Sequence, residues 1–371
     1  MDTLELCENI FKRFENKHAL IENYYGLLAY YALSQTAIEK NDPSLIKKCT
    51  DYLELYPEKY PHPSYNFEPY RVGGNGKAWM FMKGVGKNWE SDLRKYAEIT
   101  LESPKNEDGI LCHRKTGKIW IDVVTCITPF MLFVGLALNE EKYIDFAVEQ
   151  CIKMYDCLMD KEYGLLHQAK GFIPENPEKV SEDHWSRGNG WGYLGLAELI
   201  RYLPKDSKHR AKVENYFIEH SRALITHQDN KGLWRQEIPE ELSWCESSGT
   251  GLILYGLGIG LRKGVLQGDE YRSSFNRGIE ALAKYCLYDD FSTHLSCPGC
   301  MTPGTGEDKG TPKSYITLHS PKSDESHSYG CIMLALLEAK RNGITDISIS
   351  ECWGHKGPNK IEVKYDCESN A

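Results

Sequence analysis

Helical periodicity with two alternating textures constrains this chain more than any other feature. Apolar residues recur at three- and four-residue spacing through about a dozen segments. These are residues 3–16, 20–39, 43–56, 76–86, 89–102, 120–138, 141–159, 187–203, 207–228, 247–263, 268–287 and 325–342. They tend to come in pairs. One member is apolar nearly all round, as in TCITPFMLFVGLAL or SGTGLILYGLGIGL. The other is amphipathic with a charged face, as in EEKYIDFAVEQCIKMYDCLMD. An all-apolar helix is buried and an amphipathic one lies outside it. Six such pairs predict an all-α fold, a six-fold α/α barrel of two concentric rings.

Between pairs lie short stretches rich in Gly, Asn and aromatics: NEDGILCHRKTGKIW, KEYGLLHQAKGFIP and NKGLWRQEIPEELSWCE. Each predicts a brief strand or hairpin. Their common position relative to the inner helices gathers them at one mouth of the ring, where binding chemistry belongs. Residues 290–324 form a long Gly/Pro/Ser-rich loop, a length more often functional than incidental. With no linker in sight, residues 1–371 read as one catalytic domain.

A net charge of −9 without a basic stripe argues against nucleic acid. No stretch is apolar and long enough to span a bilayer, and the start MDTLELCENIFKRFENK does not read as a leader. The thirteen cysteines are scattered, without the spacing of a disulfide framework. The expectation is a soluble, cytoplasmic protein needing no cofactor.

The densest chemistry is DHWSRGNGWGY at Asp183–Tyr193. Flat rings beside a guanidinium suit a sugar that carries a carboxylate: the rings stack on C–H faces and Arg187 grips the carboxylate through two donors. The glycines are expected to bend the backbone sharply, so that Trp191 on the first helical turn faces the space of Arg187. A buried Trp pair with a structural Arg is the competing reading. Asp122 stands at the entrance to an apolar helix, two residues after Trp120 and downstream of His113. It is either a helix cap or a carboxyl group kept protonated by apolar walls, a general acid. His167 occupies a similar place on the next mouth loop.

The segments KIWIDVVTCITPFM, GLLHQAK, HWSRGNGWGYLGLAELI, HQDNKGLWRQ, ESSGTGLILYGLGIGLRKG and SHSYGCIMLALLEA resemble, in order and spacing across roughly residues 105–342, the unsaturated glucuronyl and rhamnogalacturonyl hydrolases. These are glycoside hydrolase families 88 and 105, with a six-fold α/α barrel. The resemblance implies removal of a Δ4,5-unsaturated uronic acid from the non-reducing end of lyase-generated oligosaccharides. It makes Asp122 the acid that protonates the double bond, with Arg187, Trp191, His113, Trp120 and His167 lining the uronate subsite. The family's second Asp is missing: the nearest position is Asn75, which can orient a ligand but cannot take a proton. Tyr24 and Tyr25 match only loosely.

Two other functions stay open: a sugar epimerase or isomerase with His113 and His167 facing across the pocket, and a non-catalytic oligosaccharide-binding relative. Separately, Cys297, Cys300, Cys352 and His355 could make a Cys3His zinc site; unrelated turns with free thiols are the alternative.

Overall fold

In the computed structural model, residues 1–18, 24–57, 67–113 and 116–349 are described. Among them are fourteen α-helices. The chain begins with α1 (Thr3–Lys17), α2 (Tyr24–Lys40) and α3 (Pro43–Leu53), then α4 (Glu68–Arg71), α5 (Gly74–Met82) and α6 (Glu90–Leu101). The middle holds α7 (Asp122–Leu138), α8 (Glu141–Leu158), α9 (Ser186–Tyr202) and α10 (Arg210–Thr226). The last are α11 (Ser247–Arg262), α12 (Asp269–Ala281), α13 (Pro312–Leu318) and α14 (Ser326–Arg341).

Six of these close a ring: α2 packs on α5, α5 on α7, α7 on α9, α9 on α11, α11 on α14, and α14 back on α2. Around it, α1 lies against α14 and α2, α3 against α2, α6 and α8 against α7, α10 against α9 and α12 against α11. This is the six-fold α/α barrel predicted from the paired textures. The reason is visible in one pair. Helix α7 is buried continuously from Asp122 to Gly135, whereas α8 buries Tyr143, Phe146, Ala147, Val148, Gln150, Cys151, Ile152, Met154, Tyr155 and Leu158 and leaves Glu141, Lys142, Glu149 and Asp156 exposed on its outer side. Close approach in the inner ring needs small residues: a Cβ on Gly251 of α11 would meet the α14 backbone at Cys331 at 2.7 Å.

Pro129 sits inside α7. It cannot donate to the carbonyl four residues back, so Thr125 loses its helical partner. Asn75 of α5 replaces it: its side-chain Nδ2 donates to the Thr125 carbonyl at 2.9 Å.

The mouth loops carry two-residue strands. β1 (Ile119–Trp120), β2 (Met159–Asp160), β3 (Leu165–Leu166), β4 (Ala169–Lys170), β5 (Trp234–Arg235) and β6 (Cys245–Glu246) pair antiparallel as β1–β4, β2–β3 and β5–β6. Two of the predicted hairpins thus close on themselves. The first also turns back on itself, with the His113 N–H on the Lys118 carbonyl at 2.9 Å and a Lys105–Leu111 bridge, while its β1 pairs across to the next loop. The 290–324 loop contains α13 and is pinned by the Ser296–Lys322 bridge. No described helix is long and apolar enough to cross a membrane.

Candidate active site

Each inner helix delivers a polar or aromatic residue from its first turn: Tyr24 (α2), Asn75 (α5), Asp122 (α7), Arg187 (α9), Ser248 (α11) and His327 (α14). Contacts among them show that these ends converge. Tyr24 meets Trp191 edge-on at 5.6 Å between ring centroids and Tyr70 at 5.9 Å, and its hydroxyl lies 3.2 Å from His327 Nε2. Arg187 Nη1 donates to Ser248 Oγ at 3.0 Å. Convergent helix N-termini present partial positive charge, which favours an anionic ligand.

Asp122 is only 4 % exposed. The α7 cap position is held by Ile121, and Asp122 is the first helical residue, so the capping alternative does not describe it. Burial first, and then nearby groups that include Asp122, push the pKa of the Tyr24 and Tyr70 hydroxyls well above the ordinary value.

The Gly-Asn-Gly of the 183–193 motif is not a bend. Gly188, Asn189 and Gly190 are interior to α9, where a Cβ on Gly190 would meet Leu252 at 2.7 Å. Arg187 and Trp191 share a face because they are four residues apart on one helix. Trp185 lies under the Arg187 guanidinium at 4.6 Å. Arg187 is fully buried, and beyond Ser248 its Nη1 donates to the Cys297 carbonyl at 2.6 Å and Nη2 to the Pro298 carbonyl at 2.6 Å. Three of the five guanidinium hydrogens are therefore used. Nε has no hydrogen-bond partner among the described residues. Trp191 Nε1 and Asn75 Oδ1 are likewise buried without a described partner. Buried polar atoms left unpaired are costly and call for a ligand group or ordered water.

Other predicted residues are placed differently. His113 is exposed, with Nδ1 2.9 Å from Thr116 Oγ1 in its own turn. Trp120 is half-buried on β1. His167 Nδ1 lies 3.0 Å from the Asp183 carbonyl, its ring lies tilted against His184 at 4.9 Å between centroids and its Nε2 is 3.8 Å from Asp160. The two histidines expected to face across a pocket have no described contact with each other. Tyr25 lies 4.4 Å from the His327 ring. Cys297 and Cys300 are buried and unbridged: the first sulfur accepts from Trp185 Nε1 at 3.2 Å, and the second lies 3.8 Å from His319. Cys352 and His355 lie outside the described residues.

Sequence reasoning missed Tyr70, Ser248, Glu246 and the Glu325–His327 pair. Glu325 caps α14, and its Oε1 is 2.8 Å from His327 Nδ1. Burial opposes its charge, but His327 and Arg187 hold its acidity down at about 2. Burial and Arg187 lower the basicity of His327. A signal existed: an acid stands just before or at the start of three apolar inner helices, as Asp122, Glu246 and Glu325.

The model of Glycosyl Hydrolase Family 88 matches residues 24–342. The unsaturated 3S-rhamnoglycuronyl hydrolase of Formosa agariphila is 31 % identical over 179 residues, 46 % of this chain and 47 % of that protein. The unsaturated rhamnogalacturonyl hydrolase YesR of Bacillus subtilis is 26 % identical over 160 residues, 41 % of this chain and 46 % of that one. The matches to these curated relatives thus span about half of their length. The fold is shared with a family 105 glycoside hydrolase of C. acetobutylicum at TM-score 0.76 and 21 % identity, covering 90 % of this chain and 99 % of that one. It is also shared with the unsaturated glucuronyl hydrolase of Bacillus sp. GL1 at TM-score 0.61 and 14 % identity, covering 93 % and 97 %.

Proposed function

Because the chain belongs to glycosyl hydrolase family 88, we propose that it removes a Δ4,5-unsaturated uronic acid from the non-reducing end of lyase-generated oligosaccharides. The observation that carries this reading is the set of buried, unpartnered polar atoms at the convergent helix ends: Arg187 Nε, Trp191 Nε1 and Asn75 Oδ1. Arg187 keeps two hydrogens for a carboxylate, on Nε and Nη2, while the Cys297 and Pro298 carbonyls fix its orientation.

In the proposed reaction Asp122, protonated, delivers its proton to C4 of the double bond. Positive charge develops at C5, where water adds. The water gives up a proton to the Asp122 carboxylate, which restores the acid. The hemiketal formed at C5 then opens and releases the remaining sugar. One water is consumed, and no second carboxylate is required. His113 and Trp120 remain proposed subsite residues on the mouth loops, as does His167 on the strength of the family resemblance.

The substrate class draws support from relatives named as unsaturated rhamnoglycuronyl and rhamnogalacturonyl hydrolases. A cytoplasmic setting fits the eleven described cysteines, all unbridged. The deciding measurement is the ultraviolet absorbance of the conjugated double bond on a panel of lyase-generated disaccharides, with release of the second sugar followed in parallel. Loss of absorbance with sugar release is the expected result. Binding without loss would identify a non-catalytic oligosaccharide-binding protein, and isomerised sugar with the double bond intact an epimerase.

A further inference from the structure

A cluster of ionisable groups at the mouth shares His167 with the proposed uronate subsite and adds Asp160 and His184. Asp160 closes β2, His167 follows β3, and His184 precedes α9. One ligand atom from each lies within 4.8 Å of the others. Each of two members is aimed by a bond on its far side. Asp160 Oδ1 accepts the Glu162 N–H at 2.8 Å, which turns Oδ2 toward both imidazoles. His167 Nδ1 lies 3.0 Å from the Asp183 carbonyl, an atom that can only accept. Nδ1 therefore carries a ring hydrogen, which makes Nε2 the nitrogen available to an incoming ion.

Without an ion, His184 and Asp160 share a hydrogen bond, and His167 stands beside it. His167 Nε2 faces Asp160 Oδ2 at 3.8 Å. His184 Nε2 stands 3.0 Å from the same oxygen. A cation between the three atoms takes the place of that hydrogen bond and is ligated by all three. Ligand atoms of a tetrahedral zinc with bonds of ~2.0–2.1 Å sit about 3.3 Å apart; the two separations from Asp160 Oδ2 bracket that spacing, and the two imidazole nitrogens lie within 4.8 Å of each other. The backbone carbonyl behind His167 is the outer-shell partner that metal-bound histidines ordinarily have. The side chains of Asp160 and His167 are 21 % and 18 % exposed, enough for an ion to enter and for water to complete its shell.

We propose that Asp160, His167 and His184 bind one divalent transition-metal ion of the zinc type, through Oδ2 and the two Nε2 atoms. The His184 ring hydrogen leaves Nε2 for Nδ1 or solvent as the ion enters. The ion ties the β2–β3 hairpin to the segment that leads into α9, three residues before Arg187, and so stiffens the platform beneath the guanidinium.

The test uses the full chain, stripped with a chelator and titrated with ZnCl2 by calorimetry under reducing conditions. The expected result is one ion per chain, with a raised melting temperature. Asp160→Asn, a near-isosteric change, and His184→Ala should each weaken zinc binding by about tenfold or more and remove the rise. Because the chain is rich in thiols, Co2+ is titrated in parallel: visible bands without near-ultraviolet sulfur-to-cobalt charge transfer are expected. Absence of stoichiometric zinc binding, undiminished affinity in both variants, or thiolate charge-transfer bands would each overturn the proposal. None of these readouts depends on hydrolase activity.

Discussion

Asn75 donates its side-chain amide to the backbone carbonyl of Thr125 at 2.9 Å. Pro129 strips that carbonyl of its helical donor, so position 75 needs a hydrogen-bond donor. Asn75→Asp would set an ionised carboxylate against a carbonyl, two acceptors at hydrogen-bond distance. We expect a loss of about 1–3 kcal/mol of stability, read by chemical denaturation, and no gain in turnover. A variant that is as stable as the wild type and faster would show that a second carboxylate belongs here.

Asp122→Asn should cut turnover about 10²–10⁴-fold, the range for a lost general acid, while the melting curve and substrate binding change little. The swap is isosteric, and Asp122 occupies the first helical position rather than the cap. Steady-state rates on an unsaturated disaccharide decide the point. Retention of more than about a tenth of the rate would remove Asp122 from the chemistry.

Arg187→Lys keeps the charge and loses the geometry. A point ammonium cannot hold Ser248 Oγ and the Cys297 and Pro298 carbonyls while still offering an edge to a carboxylate. Uronate binding should weaken by ~1–3 kcal/mol, and the melting temperature should fall as the loop is released. Calorimetry with a uronate and with its uncharged analogue separates the two effects. Equal losses for both ligands would make Arg187 a purely structural clamp.

Glu325 gives the fold an acid limit. Its acidity lies near 2 when folded, against an ordinary value of 4.5. The unfolded chain therefore takes up the proton first, and the stability that Glu325 contributes is present above about pH 4.5 and lost as pH falls toward 2. Glu325→Gln should flatten the stability profile across that window. Denaturation midpoints at a series of pH values measure it, and an unchanged slope would mean that the pair with His327 contributes nothing.

The alternation of all-apolar and amphipathic helices is enough to determine the barrel, because burial imposes a period on neighbouring residues that a linear reading detects. TCITPFMLFVGLAL can only be interior, and EEKYIDFAVEQCIKMYDCLMD can only flank it. Arg187 and Trp191 share a face for the same local reason. What the sequence left open depends on partners far along the chain. Arg187 is held by carbonyls 110 and 111 residues away, and Tyr24 meets His327 across 303 residues. The Asp183 carbonyl 16 residues on turns His167 toward Asp160 and His184. Ring closure sets these contacts, bringing first and last inner helices together at distances that no periodicity encodes. The local pattern decides which face of a helix is buried; the closed ring decides what that face meets.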